Sequence, residues 1–336
     1  MTLPLVFMFS GQGSQYRQMG RELYDRHVRF RTWMDYCDEI ARPLIGVSLC
    51  EELYAQGDKS RPFDRLLHTN PALISVEYSL ARVLMEAGAR PARLLGYSLG
   101  EFTMAMVGGA LDLEDGLRFV IDYARLMEEE SPPARMLAVI DVPDLEQRYV
   151  GPLAGCEITA RNFDRHLVVT GPVPQVALLQ QALAADGVTH QPLSVNYGFH
   201  TAMIAPLEHK VLALARQAEF RPLRMPVVSC RDGSVLDADT DPATWPEHLW
   251  GVSRQPVAFD TTIRGLLQEG DHHFVDVGPS GTLSTFVKYL LPGGSASHGA
   301  SAGASTHGDV INPFGRDLQT YGNAVGRLGL TDAHLG

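Results

Sequence analysis

Positive charge is scarce in this 336-residue chain: 28 Lys and Arg stand against 39 Asp and Glu, a formal net charge of −11. Such a surface repels phosphate backbones, so no nucleic-acid partner is expected. Cysteine is scarcer still. Cys37, Cys50, Cys156 and Cys230 are scattered and never form a C-x-x-C pair. Neither a disulfide framework nor a zinc site is indicated, and a reducing compartment is expected. No apolar run approaches the length of a membrane span. The stretch Leu3 to Phe9 has no basic flank and leads straight into a glycine-rich turn. It is too short for a signal peptide, so a cytoplasmic location away from membranes is expected. What remains is 45% hydrophobic and 20% charged, ordinary for a soluble globular enzyme. The length suits one large α/β domain with a second small one.

Leu5 to Phe9 is a solid apolar run closed by Ser10-Gly11-Gln12-Gly13, the pattern of a buried parallel strand ending in a functional loop. A helix is expected from Gln18 to about Cys37. A second covers Ala72 to Ala87, with Pro71 in its first turn. Arg93 to Gly96 reads as a strand, and Gly100 onward as an Ala- and Met-rich helix. From about Ser131 the elements shorten: Met136 to Val142 and Leu167 to Gly171 are strand-like, Val173 to Ala185 helical. A β-α-β-β-α-β order there suits a ferredoxin-like insert. Phe274 to Val277 is another apolar strand, ending at Gly278-Pro279. Pro292 to Gly308 is a Gly/Ser/Ala tract expected to be a mobile loop, and its His298 and His307 are read as solvated side chains rather than metal ligands.

Gly96-Tyr97-Ser98-Leu99-Gly100 has the form G-x-S-x-G between a strand and a helix. A serine nucleophile needs a tight turn of this kind, with glycines allowing close backbone approach and the Leu99 amide free at the helix N-terminus to meet an oxyanion. A helix N-cap serine is the simpler alternative. The loop after the first strand offers the amide of Gln12 as a second donor, although a plain glycine turn would look the same. Tyr197-Gly198-Phe199-His200-Thr201 sets a histidine after another strand.

Together Phe9-Ser10-Gly11-Gln12-Gly13-Ser14-Gln15, Gly96-Tyr97-Ser98-Leu99-Gly100-Glu101, Phe199-His200-Thr201 and Val277-Gly278-Pro279 fall in the order seen in the malonyl-CoA:acyl carrier protein transacylase family, which the chain resembles over nearly its whole length. The resemblance implies an α/β fold: an α/β-hydrolase-like core with a parallel sheet over 1–130 and 198–336, and a ferredoxin-like small subdomain over 131–197. It implies Ser98 as the acylated nucleophile, His200 as its base, Gln12 and Leu99 as oxyanion-hole amides, and a backbone carbonyl, from Gln255, orienting the imidazole. It implies an acyl carrier protein with a phosphopantetheine arm as partner, acyl-CoA as a further acyl source, and no cofactor or metal.

Malonyl-specific members carry an arginine in an R-G-x-x-M stretch after the serine, which grips the malonyl carboxylate. Aligning Met127 with that methionine puts Tyr123 where the arginine belongs and Ala124 at the glycine. Arg125 and Arg118 share another helix face, from which only a shifted helix brings one of them to the site. Tyr97 stands where the family usually has histidine. Tyr123 and Tyr97 are therefore expected to bind the acyl group and to favour uncharged ones, since an unpaired carboxylate in a buried pocket is costly. This combination resembles the acyl hydrolases of trans-acyltransferase polyketide synthases, which clear acyl groups from carrier proteins. Acyl transfer to a carrier is the alternative, and a non-catalytic docking module is a reading of another class. A generic Ser–Asp–His hydrolase is the fourth, with Asp276 as its acid. Arg161, Arg165 and Lys288 are candidates for a basic carrier-binding patch.

Overall fold

In the computed structural model, which describes residues 3–55, 63–292 and 304–335, the chain folds around two sheets. In chain order the strands are β1 (Leu5–Phe9), β2 (Pro91–Gly96), β3 (Ala134–Ile140), β4 (Glu157–Phe163) and β5 (His166–Pro172). They continue as β6 (His190–Pro192), β7 (Val227–Ser229), β8 (Val235–Leu236), β9 (His273–Asp276) and β10 (Thr306–Asp309). The larger sheet has the order β10-β9-β1-β2-β7-β8, with every neighbouring pair parallel except β7 and β8. Val6 to Phe9 are fully buried at its centre, as a solid apolar run in a helix-covered parallel sheet must be. The carboxyl ends of β1 and β2 lie side by side, Phe9 opposite Gly96, and the glycine turns after both strands open at that edge.

The smaller sheet, β4-β5-β3-β6, is antiparallel throughout and carries the helices Leu145–Arg148 and Val173–Ala185, giving the β-α-β-β-α-β order. Its strands divide their side chains by the two-residue period of a pleated sheet. Leu137, Val139, Leu167 and Val169 face a private core under the two helices. Met136 and Val168, one residue out of phase, join the main core. The chain enters and leaves at one neck, where Pro133 bridges Tyr197 and Ala134 N donates to Asn196 O at 3.1 Å.

Three expectations are corrected. The helix predicted over Gln18 to Cys37 is two helices, Arg21–Arg26 and Val28–Ile45. His27 breaks them: its backbone is extended, its Nδ1 accepts from Phe30 N, and its Nε2 lies 2.9 Å from Asp332. The helix expected from Ala72 begins at Leu66, after a short helix Leu49–Tyr54, so Pro71 lies inside it. Its first turn is capped from outside the segment, Leu67 N donating to Glu128 Oε1 at 3.0 Å. The mobile loop expected over Pro292 to Gly308 is not what its described end forms. Residues 293–303, His298 among them, lie outside the described residues, but Thr306–Asp309 form the edge strand β10, and His307 Nδ1 meets Ser284 Oγ at 2.8 Å.

Candidate active site

Ser98 sits between β2 and the helix Gly100–Gly108 with φ +54°, a left-handed conformation that non-glycine residues rarely hold. The flanking glycines are there for steric reasons. A Cβ on Gly96 would stand 2.5 Å from Glu101 N, and one on Gly100 would run into the carbonyl of Phe9. A Cβ on Gly11, in the loop after β1, would stand 3.1 Å from the Cβ of Ser98. The two loops therefore pack backbone against side chain with no room for a methyl group. Beneath them Glu101 accepts from Ser229 Oγ at 2.8 Å and pairs with His248 Nε2 at 2.9 Å, fixing the start of the helix.

His200 Nε2 lies 2.8 Å from Ser98 Oγ, and His200 Nδ1 lies 2.8 Å from the main-chain oxygen of Gln255. The carbonyl can only accept, so Nδ1 carries the proton and Nε2 presents its lone pair to the hydroxyl. His200 has φ +64°, and its own N–H donates to Ser253 O at 2.8 Å. Burial pushes the imidazole down to about 4, against the raising effect of the Gln255 and Val252 backbone, so the ring is neutral at pH 7. Asp276 does not reach it. Its oxygens accept from Gly278 N at 2.9 Å and Ser284 N at 3.0 Å, and burial pushes it up to about 7. The Ser–Asp–His arrangement is thereby excluded as drawn.

Gln12 lines the same cavity as Ser98 and His200. Its side chain donates to Thr69 Oγ1 at 3.0 Å and to Asn70 Oδ1, which pins the loop against the helix Leu66–Glu86. The amides of Gln12 and Leu99 have no hydrogen-bond acceptor among the described residues. Two unpaired donors beside a serine hydroxyl are what a developing oxyanion needs. Ser10, at the base of the loop, donates from both N and Oγ to buried Glu77, each at 2.7 Å.

The remaining cavity walls are Met136, Thr159, Ala160, Val168, Leu193, Val195, Phe199 and Val257, with Tyr97 at one side. None carries a charge. Tyr97 Oη donates to Asn162 Oδ1 at 2.9 Å, tying the serine turn to β4. Tyr123 is not in the wall: its ring lies behind Phe199, 6.3 Å between centroids, in a stack with Phe102 and Phe119. The expectation that Tyr123 lines the acyl pocket is thereby corrected: Phe199 lines the cavity and Tyr123 packs against it. Arg125 turns away to Asp122 and Leu44 O, and Arg118 to Glu114. No shift of the helix brings an arginine to the pocket. Of the three surface cations, Arg161 pairs with Glu146 and Arg165 with Asp141, while Lys288 has no carboxylate partner among the described residues.

Residues 6–303 match the acyl transferase domain family. The chain belongs to that family. Among its relatives, the Polyketide biosynthesis acyltransferase homolog PksD of Bacillus subtilis is 37% identical over 320 residues, 95% of each chain. The homolog BaeD of Bacillus velezensis is 38% identical over 299 residues, 88% of this chain and 90% of its own. Among solved structures, the loading acyltransferase from the avermectin modular polyketide synthase superposes with a TM-score of 0.84 at 27% identity, covering 97% of this chain and 99% of its own. An acyltransferase of this family thus carries both sheets as one unit.

Sequence reading missed most of the cavity wall of this acyltransferase. Met136, Thr159, Ala160, Val168, Leu193 and Val195 belong to the insert and carry no chemical signal of their own; in β3 and β5 the strand period separates Met136 and Val168, on the site side, from Leu137, Val139, Leu167 and Val169 in the private core. Asn162, Thr69 and Asn70 carried no local signal. Among the described residues no three metal-ligating side chains cluster, and no helix is long and apolar enough to cross a membrane.

Proposed function

We propose that the chain is an acyl-enzyme catalyst that removes short uncharged acyl groups from the phosphopantetheine thiol of an acyl carrier protein in polyketide biosynthesis. We assign the large subdomain to 1–130 and 198–336 and the small one to 131–197, with the reaction between them. The observation that carries the reading is the 2.8 Å contact of Ser98 Oγ with His200 Nε2, combined with the 2.8 Å hold of Nδ1 by a carbonyl. In the first step His200 takes the Ser98 proton as Oγ attacks the thioester carbonyl. The tetrahedral oxyanion is met by the amides of Gln12 and Leu99. On collapse the C–S bond breaks, the proton passes from His200 to the leaving thiolate, and acyl-Ser98 remains. Water, deprotonated by the same imidazole, then attacks the ester, returning Ser98 and releasing the carboxylic acid.

Preference for uncharged acyl groups is supported by the walls, which hold no cation to meet a malonyl carboxylate. The polyketide setting is supported by the names of PksD and BaeD. Those names also favour the second reading, in which a carrier thiol replaces water and the acyl group is transferred. Parallel incubation with acetyl- and malonyl-loaded carrier protein, followed by mass spectrometry, separates the two. Loss of acetyl with release of acetate supports hydrolysis. Acyl loading of an empty carrier from CoA with no free acid overturns it in favour of transfer.

A further inference from the structure

The cavity beside Ser98 is small, about 50 Å³. An engineered apolar cavity of about 150 Å³ binds benzene, and the space here is about a third of that. The space beyond the reacting carbonyl therefore suits an acetyl or propionyl tail and no more. The limit is set at one place. Ala160 on β4 and Val257, two residues after Gln255, line this cavity and also line a groove of about 580 Å³ on their other side. Only one layer of side chains separates the two spaces, and one of those side chains is a single methyl group.

That layer is held in register by the backbone. Ala160 and Val257 form an isolated parallel bridge, with Val257 N donating to Thr159 O at 2.8 Å and Arg161 N to Val257 O at 3.2 Å. Val257 is therefore anchored by the same segment whose Gln255 carbonyl orients His200. The groove beyond has an apolar floor that includes Leu153, Ile158 and Pro256, with Glu146, Glu157 and Asp260 among its remaining residues. Its one lining arginine, Arg161, is paired with Glu146 at 3.0 Å, and the apolar floor suits an alkyl chain.

We propose that Ala160 and Val257 form the end wall of the acyl pocket and set the longest acyl chain the enzyme accepts, the groove behind them being closed to substrate by those two side chains alone. This rests on the acyl-Ser98 reading above. The test uses the full chain and a series of N-acetylcysteamine thioesters carrying acetyl, propionyl, hexanoyl and octanoyl groups, with acylation of the protein followed by intact mass. Wild type should acylate with propionyl at least tenfold faster than with hexanoyl. Val257→Gly should raise the hexanoyl-to-acetyl ratio at least tenfold, Val257→Ala less so, and Ala160→Leu should lower the propionyl-to-acetyl ratio at least tenfold. A wild type that accepts octanoyl as readily as acetyl overturns the wall, as do ratios unmoved by the substitutions while acetyl labelling persists. If the Val257 variants fail to fold, the wild-type series and Ala160→Leu still decide. Absence of labelling by every donor in wild type overturns instead the acyl-Ser98 reading beneath it.

Discussion

Ser98 and His200 both sit at positive φ, +54° and +64°, yet their two turns are held by different means. The serine turn is locked by exclusion. Gly96 and Gly100 leave no space for a side chain between β2 and the following helix. The histidine turn is locked by attraction, through Ser253 O on its amide and Gln255 O on its ring, more than 50 residues further along the chain. A sterically determined turn writes itself into neighbouring residues. A turn held by remote carbonyls does not name its holders in the residues beside it.

The comparison can be broken in several ways. Ser98→Ala should abolish acyl-enzyme formation altogether, and normal labelling by an acyl thioester in that variant would remove the nucleophile assignment. His200→Ala should slow acylation by about 10²–10⁴-fold, the usual contribution of a positioned base, read from the rate of intact-mass change. Gly100→Ala should destabilise the fold by about 3 kcal/mol or prevent folding, because its methyl meets the Phe9 carbonyl; an unchanged midpoint of urea unfolding would show that the serine turn is not sterically fixed.

Acid separates the turns differently. His200 titrates near pH 4 in the fold and near 6.5 when unfolded, so the unfolded chain binds the extra proton between those values. This group's stabilising contribution is full above pH 6.5 and is lost as pH falls towards 4, about 3 kcal/mol in all. Because the raised carboxyls of Glu77 and Asp276 act in the opposite direction, denaturant titrations of wild type and His200→Gln are compared at pH 7 and 4.5, and wild type should lose stability relative to the variant at the lower pH. The acylation rate should stay level from pH 8 to about 5 and drop near 4. The smallest effect is expected of Tyr97→Phe, which leaves Asn162 Oδ1 without its donor and should cost about 1 kcal/mol, measured in the same titrations.

Much of the fold was legible because it follows from local pattern. The apolar run of β1, the glycine loop after it and the alternating short elements of the insert each report their own structure. The failures share a cause, which is a partner distant in sequence. His27 breaks a helix because Asp332 is waiting for it, and the helix at Leu66 starts early because Glu128 caps it. Thr306–Asp309 is a strand because β9 lies beside it, although its composition reads as loop. At the site, Ser98, His200, Gln12 and Leu99 stand in recognisable strings. Tyr123 was placed correctly on its helix, but the ring of Phe199 stands between it and the cavity, and no helix phase could reveal that.

The third member of the Ser98–His200 arrangement is a peptide oxygen, and every residue type supplies one. Position 255 can therefore drift through the side-chain alphabet while its contribution survives, so a mutational scan that finds 98 and 200 indispensable would pass over it. Selection can act on that oxygen only by bending the main chain, and Pro256, which fixes its own φ and restricts the residue before it, is what a lineage would have to keep.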